Sequence, residues 1–258
     1  MSAQLDRGPD DASKLLEIDL HFDPYSDTAT NDYERLKNVI STLDVRALLD
    51  AELRKAQPDN FLISRIGRIL KFQSPDLAVE ICETLLSPLN LHAFRASLST
   101  ILRGVAAVRA TEDFATIFPQ LDRLLDLVPE SSAHLLKAES STLHYLRALR
   151  FGRTDARARY VLDLYLHASS ISVKRACVDC WRIWKDRPSF TRERNRWNAL
   201  SLEEKRMVWL AAGAFGDEGF KFRLQEKSSV QDAWRVGLEK QGQPDFASIY
   251  MGWAQDAD

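Results

Sequence analysis

The 258-residue chain contains few of the residues that break helices or cross-link a fold. It has ten glycines, nine prolines and three cysteines. So little glycine and proline favours long helices joined by short connections. An odd, small number of cysteines argues against a disulfide framework and for a reducing compartment, so we expect a cytoplasmic protein.

Long apolar runs are also lacking. No stretch reaches the roughly 18 apolar residues that a membrane span needs, and the first residues do not form a secretory signal. Hydrophobic residues make up 45% of the chain and charged residues 28%, which is typical of soluble globular proteins. We therefore expect no membrane partner, and the length allows one large domain or two small ones.

Signatures of catalysis and metal binding are absent as well. There is no H-E-x-x-H, G-x-S-x-G or glycine-rich phosphate loop, and the five histidines show no metal spacing. Cys177 and Cys180 form a C-x-x-C pair that could be redox-active or half a zinc site. They share the apolar face of a predicted helix, and a core position is favoured. Asp217 and Glu218 could be a catalytic carboxylate pair, but a turn between two helices is favoured. We expect no cofactor, no metal and no catalytic residue.

Helical periodicity is what the sequence does contain. Apolar residues recur at intervals of three and four, most regularly over residues 98–106, and Ser201 with Glu204 forms a capping box. About a dozen helices follow one another, and pairs recur at loosely 35–45 residues, the range of HEAT-like units. We predict an all-α fold of stacked antiparallel helix pairs, a HEAT-like α-solenoid, over residues 15–258. Residues 1–14 are predicted to be a disordered acidic tail, and residues 15–22 a short strand or extended arm.

Charge is distributed unevenly along the chain. The formal net charge is −2, yet residues 147–196 hold 13 Lys or Arg against 5 Asp or Glu. The centre of this section, residues 172–184, is an amphipathic helix with Trp181 and Trp184 on its apolar stripe. Cations and aromatic rings together are typical of nucleic-acid binding, whereas the alternative is a solvated helix face over buried tryptophans.

A candidate nucleic-acid site lies in this section. Three of its arginines alternate in a predicted loop beside a tryptophan, and we expect the site to be one continuous positive surface for single-stranded nucleic acid. The predicted site residues are Arg175, Arg182, Lys185, Arg187, Arg192, Arg194, Arg196 and Trp197.

Several short segments follow one another in a particular order. They include L-E-I-D-L-H-F-D-P-Y-S at 16–26, S-V-K-R at 172–175 and E-E-K-R at 203–206 leading into G-D-E-G at 216–219. The remaining ones are residues 28–29, 32–36, 43–44, 48–49 and Arg223. In order and spacing, these segments resemble the C-terminal helical region of abortive-infection and unknown-group bacterial reverse transcriptases, which act in antiphage defence. The likeness extends over nearly the whole chain from about residue 15.

The resemblance lacks the polymerase part. The chain has no Tyr-x-Asp-Asp and no separated aspartates to hold two metals. The resemblance therefore implies a non-catalytic helical-repeat region, either a fragment or a separately encoded half, that packs on a reverse transcriptase polymerase domain or subunit. It also implies homo-oligomers and a path for new DNA. Some relatives prime synthesis from a protein hydroxyl, but nothing selects one of the six tyrosines.

Two other functions stay open. The chain could be a free-standing HEAT-like adaptor that binds protein without nucleic acid. It could also be an all-helical nuclease or transferase, so whether the chain is an enzyme is undecided at this stage.

Overall fold

The fold of the described residues is all-α, as the sequence predicts. The computed structural model describes residues 11–20, 29–132, 138–215 and 233, and in these ranges it contains thirteen α-helices, short 3-10 turns and no β-strand. The helices are α1 (Asp11–Glu17), α2 (Ala29–Ile40), α3 (Val45–Leu53), α4 (Asn60–Arg68), α5 (Pro75–Leu85), α6 (Pro88–Leu91), α7 (Leu98–Arg109), α8 (Phe118–Ser132), α9 (Glu139–Leu149), α10 (Asp155–His167), α11 (Ile171–Trp184), α12 (Arg187–Asn195) and α13 (Leu202–Phe215). Their stacking as HEAT-like pairs remains a prediction.

The chain divides into two compact units. Unit 1 is Met1–Leu149 and unit 2 is Arg150–Asp258. Helices α1–α9 belong to unit 1 and α10–α13 to unit 2. The division falls inside the helical domain predicted for residues 15–258.

Side-chain caps fix where many of these helices begin. Asp44 accepts a hydrogen bond from the Ala47 amide at 2.9 Å, and Asp59 accepts one from Phe61 at 2.8 Å. The predicted capping box before α13 is present, because the Ser201 amide donates to Glu204 Oε2 at 2.9 Å and the Glu204 amide donates to Ser201 Oγ at 3.2 Å. Such caps satisfy amides that have no partner within the helix.

Helix α7 lies at the centre of unit 1, where it packs against α4, α9 and the 3-10 turn Leu70–Phe72. The α4–α7 contact is very close because a glycine lies on each helix. A Cβ on Gly104 would lie 1.9 Å from the Gly67 carbonyl oxygen. Only glycine at 104 permits this approach.

The N-terminal prediction is wrong where it can be compared. Residues 11–14 belong to helix α1 rather than to a disordered tail, and the helix continues to Glu17 in place of a strand or arm. Leu15 is fully buried, and its carbonyl accepts hydrogen bonds from Arg65 Nε at 3.1 Å and Nη2 at 2.7 Å. This distant arginine satisfies an acceptor that a short helix leaves open, which local sequence could not show. Residues 1–10 and 21–28 lie outside the described residues.

Unit 2 is built around the apolar face of α11. Trp181 is fully buried, with its ring centroid 4.7 Å from that of Tyr165 and 6.2 Å from that of Phe190. Cys177 and Cys180 are buried beside it, and burial raises the pKa of both thiols. This confirms the core interpretation of the C-x-x-C pair. Asp217 and Glu218 lie outside the described residues.

Candidate nucleic-acid interface

All eight predicted site residues lie in unit 2, on or next to helices α11 and α12. Arg175 and Arg182 lie on α11, and Lys185 caps its C-terminus. Arg187, Arg192 and Arg194 lie on α12, whereas Arg196 and Trp197 directly follow it.

The predicted arginine-rich loop is instead helix α12, with Pro188 in its first turn. Proline has no amide hydrogen to lose at a helix start, so it begins a helix as readily as it ends the preceding one. The helical geometry changes the directions in which the alternating arginine side chains point. Arg192 and Arg194 are two residues apart and therefore point to nearly opposite sides of α12 rather than to one side.

Trp197 is not available for stacking on a base. Its side chain is 1% exposed, and its ring makes an edge contact with Trp209 at a centroid distance of 5.3 Å. The Lys205 ammonium lies 5.6 Å from the centroid of the same ring. The tryptophan chosen as a surface aromatic is thus a core residue.

One carboxylate on α11 holds two arginines. Asp179 Oδ2 lies 3.2 Å from Arg150 Nη1, while Asp179 Oδ1 accepts from Arg182 Nε at 3.0 Å and Nη2 at 2.7 Å. The Arg182 side chain is only 8% exposed, so it has little contact with solvent. This group carries one negative and two positive charges.

A second carboxylate, Glu193 on α12, holds another pair. Its side chain is fully buried, with Arg196 Nη1 at 3.4 Å and Arg192 Nε at 3.9 Å from Oε1. The Tyr165 hydroxyl donates to Glu193 Oε2 at 3.2 Å. Burial raises the pKa of Glu193, although both arginines act in the opposite direction. Here too, one carboxylate is shared by two guanidinium groups.

Two further ion pairs join α11 to α13. Lys174 Nζ lies 2.5 Å from Glu204 Oε1, and Arg175 pairs with Glu203. Burial acts to raise the pKa of Glu204, but the hydrogen bonds from Lys174 and Ser201 lower it overall. The paired residues are 28–30 positions apart in the sequence, so these ion pairs connect two helices rather than two residues within one helical turn.

The expectation of one continuous positive surface is therefore wrong for the described part of unit 2. Arg175, Arg182, Arg192 and Arg196 each pair with a carboxylate, and Trp197 is buried. The sequence analysis treated these residues as one set because it could not see which carboxylates would reach them.

Several cations that face solvent lie at the end of α11 and the start of α12, and Arg159 on α10 is exposed as well. Lys185 is exposed, and within the described ranges its ammonium makes no hydrogen bond or ion pair. Arg187 is exposed as well, and Arg153, 40% exposed, lies 3.5 Å from Asp186 and 3.1 Å from Asp155. Arg150 and Arg153 also lie in the basic section but are not among the predicted site residues.

Pairing does not cancel the positive charge of this segment. Residues 150–215 contain fourteen Lys or Arg and seven Asp or Glu, an excess of seven positive charges. Two of the seven carboxylates are shared between two arginines each, so every such group keeps a net positive charge. The segment therefore keeps an excess of positive charge even though many of its arginines are paired.

Neither a metal-binding cluster nor a membrane-spanning helix is found in the part of the chain that the structure covers. Among those residues, no group of three or more His, Cys, Asp or Glu side chains could hold a metal ion. Likewise, none of the described helices is long and apolar enough to cross a bilayer. Comparisons of the chain with protein-family models, curated proteins and solved structures find no match.

Proposed function

We propose that the chain is the non-catalytic, HEAT-like helical region of a defence-associated reverse transcriptase, and that unit 2 holds nucleic acid. Its partners on this proposal are the polymerase domain or subunit, single-stranded nucleic acid and further copies of the chain, in the cytoplasm. Two observations support the reverse transcriptase part: the short sequence segments from 16–26 to 216–219 occur in the same order as in that family, and the described fold is all-α.

The excess of seven positive charges in residues 150–215 is the observation that carries the nucleic-acid part. A polyphosphate ligand releases its counterions when lysines and arginines approach its backbone, so a net positive segment gains affinity even if many of its arginines are paired. Because Trp197 is buried, base stacking at that position contributes nothing. We therefore propose contacts to phosphates, with little dependence on sequence.

Within this segment, the residues best placed for phosphates are Lys185, Arg187 and Arg194. None of the three is buried, and they lie at the end of α11 and along α12. Arg175, Arg182 and Arg196, by contrast, pair with Glu203, Asp179 and Glu193.

A charge-neutralised variant tests the proposal. The triple substitution K185Q/R187Q/R194Q should weaken binding of a 20-nucleotide single-stranded DNA on the order of tenfold at 100 mM salt, measured by fluorescence anisotropy. The matched control K37Q/R54Q/R95Q removes three exposed cations from unit 1 and should leave that affinity nearly unchanged. Equal losses in both variants, or no DNA binding by the natural chain, would overturn the proposal.

The adaptor function is the second candidate, and exposed apolar side chains in unit 1 favour it. Phe61 is 62% exposed at the start of α4, and Leu89 is 90% exposed on α6. Large apolar groups in water are typical of protein contact surfaces, although isolated ones are common. Under this candidate, fluorescence anisotropy should show no salt-dependent binding of single-stranded DNA by the natural chain, whereas the first proposal predicts binding that weakens steeply as salt rises.

A further inference from the structure

One aromatic ring in the described part of unit 2 faces solvent. Phe151 is 37% exposed, whereas Tyr160 and Trp184 are half-buried and the other described aromatic side chains of the unit are buried. Phe151 lies in the loop at residues 150–154, directly before α10. Because Trp197 is buried, Phe151 is the described ring of this basic segment that a ligand can reach most readily.

A guanidinium group stacks on this ring. Arg150 Cζ lies 4.9 Å from the centroid of the Phe151 ring, within the distance of a cation–π contact. The same guanidinium is held by α11, because Arg150 Nη1 donates to Asp179 Oδ2 at 3.2 Å. Both Arg150 and Asp179 are mostly buried. The arginine that stacks on the ring is thus fixed in place by a carboxylate of another helix.

The backbone around the ring is also held. Arg157, buried on α10, donates from Nη1 to the Gly152 carbonyl at 2.9 Å. The Arg157 amide donates to Thr154 Oγ1 at 3.1 Å, which caps the start of α10. Because the residue after Phe151 and the end of the loop are both anchored, little conformational entropy remains to be lost there when a ligand binds.

Exposed cations lie near the ring. Arg153 Nη2 lies 3.5 Å from Asp186 Oδ1, and this contact joins the loop to the turn between α11 and α12. Asp186 is flanked by Lys185 and Arg187, both of which are exposed. Along α11, Asp179 and Lys185 are six residues apart, which corresponds to about 9 Å at the rise of an α-helix. One short stretch of single-stranded nucleic acid can therefore reach both the ring and these cations.

We propose that Phe151, stacked on Arg150, is a platform for one unpaired base of a single-stranded nucleic acid. The base lies on the face of the ring opposite Arg150, and its flanking phosphates meet Lys185 and Arg187. Stacking of this kind accepts every base, because each base has a π-face. This inference rests on the proposed function and adds a base contact to its phosphate contacts.

Single strands with and without bases test the platform. Fluorescence anisotropy measures the affinity of the full chain for an oligothymidylate and for a strand of abasic sites of the same length, at several salt concentrations. The natural chain should bind the oligothymidylate on the order of tenfold more tightly, because stacking of one base on an aromatic side chain has an effect of that order.

Substitutions at position 151 should act on the base alone. F151L removes the ring and keeps an apolar side chain, so its affinity for oligothymidylate should fall to about that for the abasic strand, which should not change. F151W keeps a ring and should keep the preference. The slope of log affinity against log salt should be the same in all three proteins, because none of the changes removes a cation. The control L166A truncates an exposed apolar side chain on α10 and should change neither affinity.

Three results would overturn the inference while leaving the proposed function in place. The first is salt-dependent binding by the natural chain with equal affinity for the two strands. The second is a preference for oligothymidylate that F151L retains in full, which would place the base on another part of the chain. The third is an equal loss of affinity for both strands in F151L. If the natural chain binds neither strand, the platform and the proposed function are both wrong.

Discussion

At the scale of a single residue, Asp179 shows how unit 2 keeps a net positive charge while its arginines are paired with carboxylates. Its two oxygens accept from Arg150 and Arg182, so both guanidinium groups are held in place by one negative charge. Both oxygens of Asp179 accept hydrogen bonds and a net positive charge remains. The same arrangement recurs at Glu193, which is shared by Arg192 and Arg196.

The substitution D179N should lower the stability of the protein and raise its affinity for single-stranded DNA. Losing the carboxylate removes both ion pairs from a mostly buried position, so the free energy of unfolding should fall by about 1–2 kcal/mol. Single-stranded DNA affinity should rise a few-fold, because one negative charge leaves a positive segment. Urea unfolding and DNA titration measure the two effects.

The control for D179N is D163N, which removes an exposed carboxylate from the same unit. It should leave the free energy of unfolding within about 0.5 kcal/mol of the natural value. A fall in DNA affinity for D179N would contradict the proposed role of the charge excess.

His144 should make the protein less stable in mild acid. Its folded pKa of about 4 lies below the unfolded value of about 6.5, so the unfolded chain binds more protons between these values. The contribution of the neutral ring to stability is complete above about pH 6.5 and falls as the pH drops towards 4.

The variant H144Q should therefore lose less stability than the natural chain between pH 6.5 and pH 4.5. The difference should be about 1 kcal/mol, a reduced figure because the ring is partly exposed to solvent. Urea unfolding at the two pH values measures it. Identical pH dependence in both proteins would mean that the ring is not held neutral.

Among single residues, sequence reasoning succeeded where one helix face decides burial. Cys177, Cys180 and Trp181 share the apolar stripe of α11 and are all buried. It failed for Trp197, which follows α12 and packs on Trp209 of α13. Neighbouring arginines in the sequence suggested an exposed ring, but a contact with another helix determined its burial.

At the scale of elements, local sequence signals predicted where helices begin better than they predicted which segments are helical. The Ser201–Glu204 capping box and the serine before Pro75 mark true helix starts. The alternating arginines were predicted to lie in a loop, but Pro188 lies in the first turn of α12, which contains two of them. A proline signals a helix start and a helix end equally, and packing of Phe190 against Trp181 stabilises α12 in this case.

The C-terminus of α11 is a place where one substitution should stabilise the protein. Lys185 has a φ of 53° and is the only described non-glycine residue with positive φ. The Asp186 amide donates to the Trp181 carbonyl at 2.9 Å across this turn. Glycine adopts this conformation without steric cost, so K185G should raise the free energy of unfolding by about 1 kcal/mol.

DNA affinity should fall in the same K185G variant, since the exposed ammonium is removed. Asparagine adopts the left-handed conformation less readily than glycine does. The variant K185N should therefore gain less free energy of unfolding than K185G and lose the same DNA affinity. Thermal unfolding measures the gain. A lower melting temperature for K185G than for the natural chain would contradict the left-handed geometry.

The α4–α7 crossing should not tolerate a methyl group at position 104. In G104A, Cβ would lie 1.9 Å from the Gly67 carbonyl oxygen and 2.9 Å from its carbon, and backbone atoms cannot move aside cheaply. We expect a loss of about 2–4 kcal/mol, larger than the helix propensity that alanine adds. G67A, whose Cβ would lie 3.1 Å from Ile101 Cα, should cost less. Chemical denaturation of both variants ranks them.

At the scale of the whole molecule, the distribution of charged residues along the chain was predictable, but which of these residues form ion pairs was not. Composition alone shows six excess negative charges in residues 1–149 and seven excess positive charges in residues 150–215. Some ion pairs of the positive segment join residues three positions apart, as between Arg182 and Asp179, but others join residues 29 or 30 positions apart, as between Arg150 and Asp179 or Lys174 and Glu204. Such pairs depend on how α10–α13 pack, which periodicity does not determine.

The salt dependence of single-stranded DNA binding by the intact chain is the most direct measurement of the central claim. Each phosphate contact contributes about −0.7 to the slope of log affinity against log salt concentration. We expect about three to six such contacts, which gives a slope of about −2 to −4. A slope in that range, reduced by about 2 in K185Q/R187Q/R194Q, is the result that the account predicts. Binding that is absent, or that does not change with salt, would contradict it.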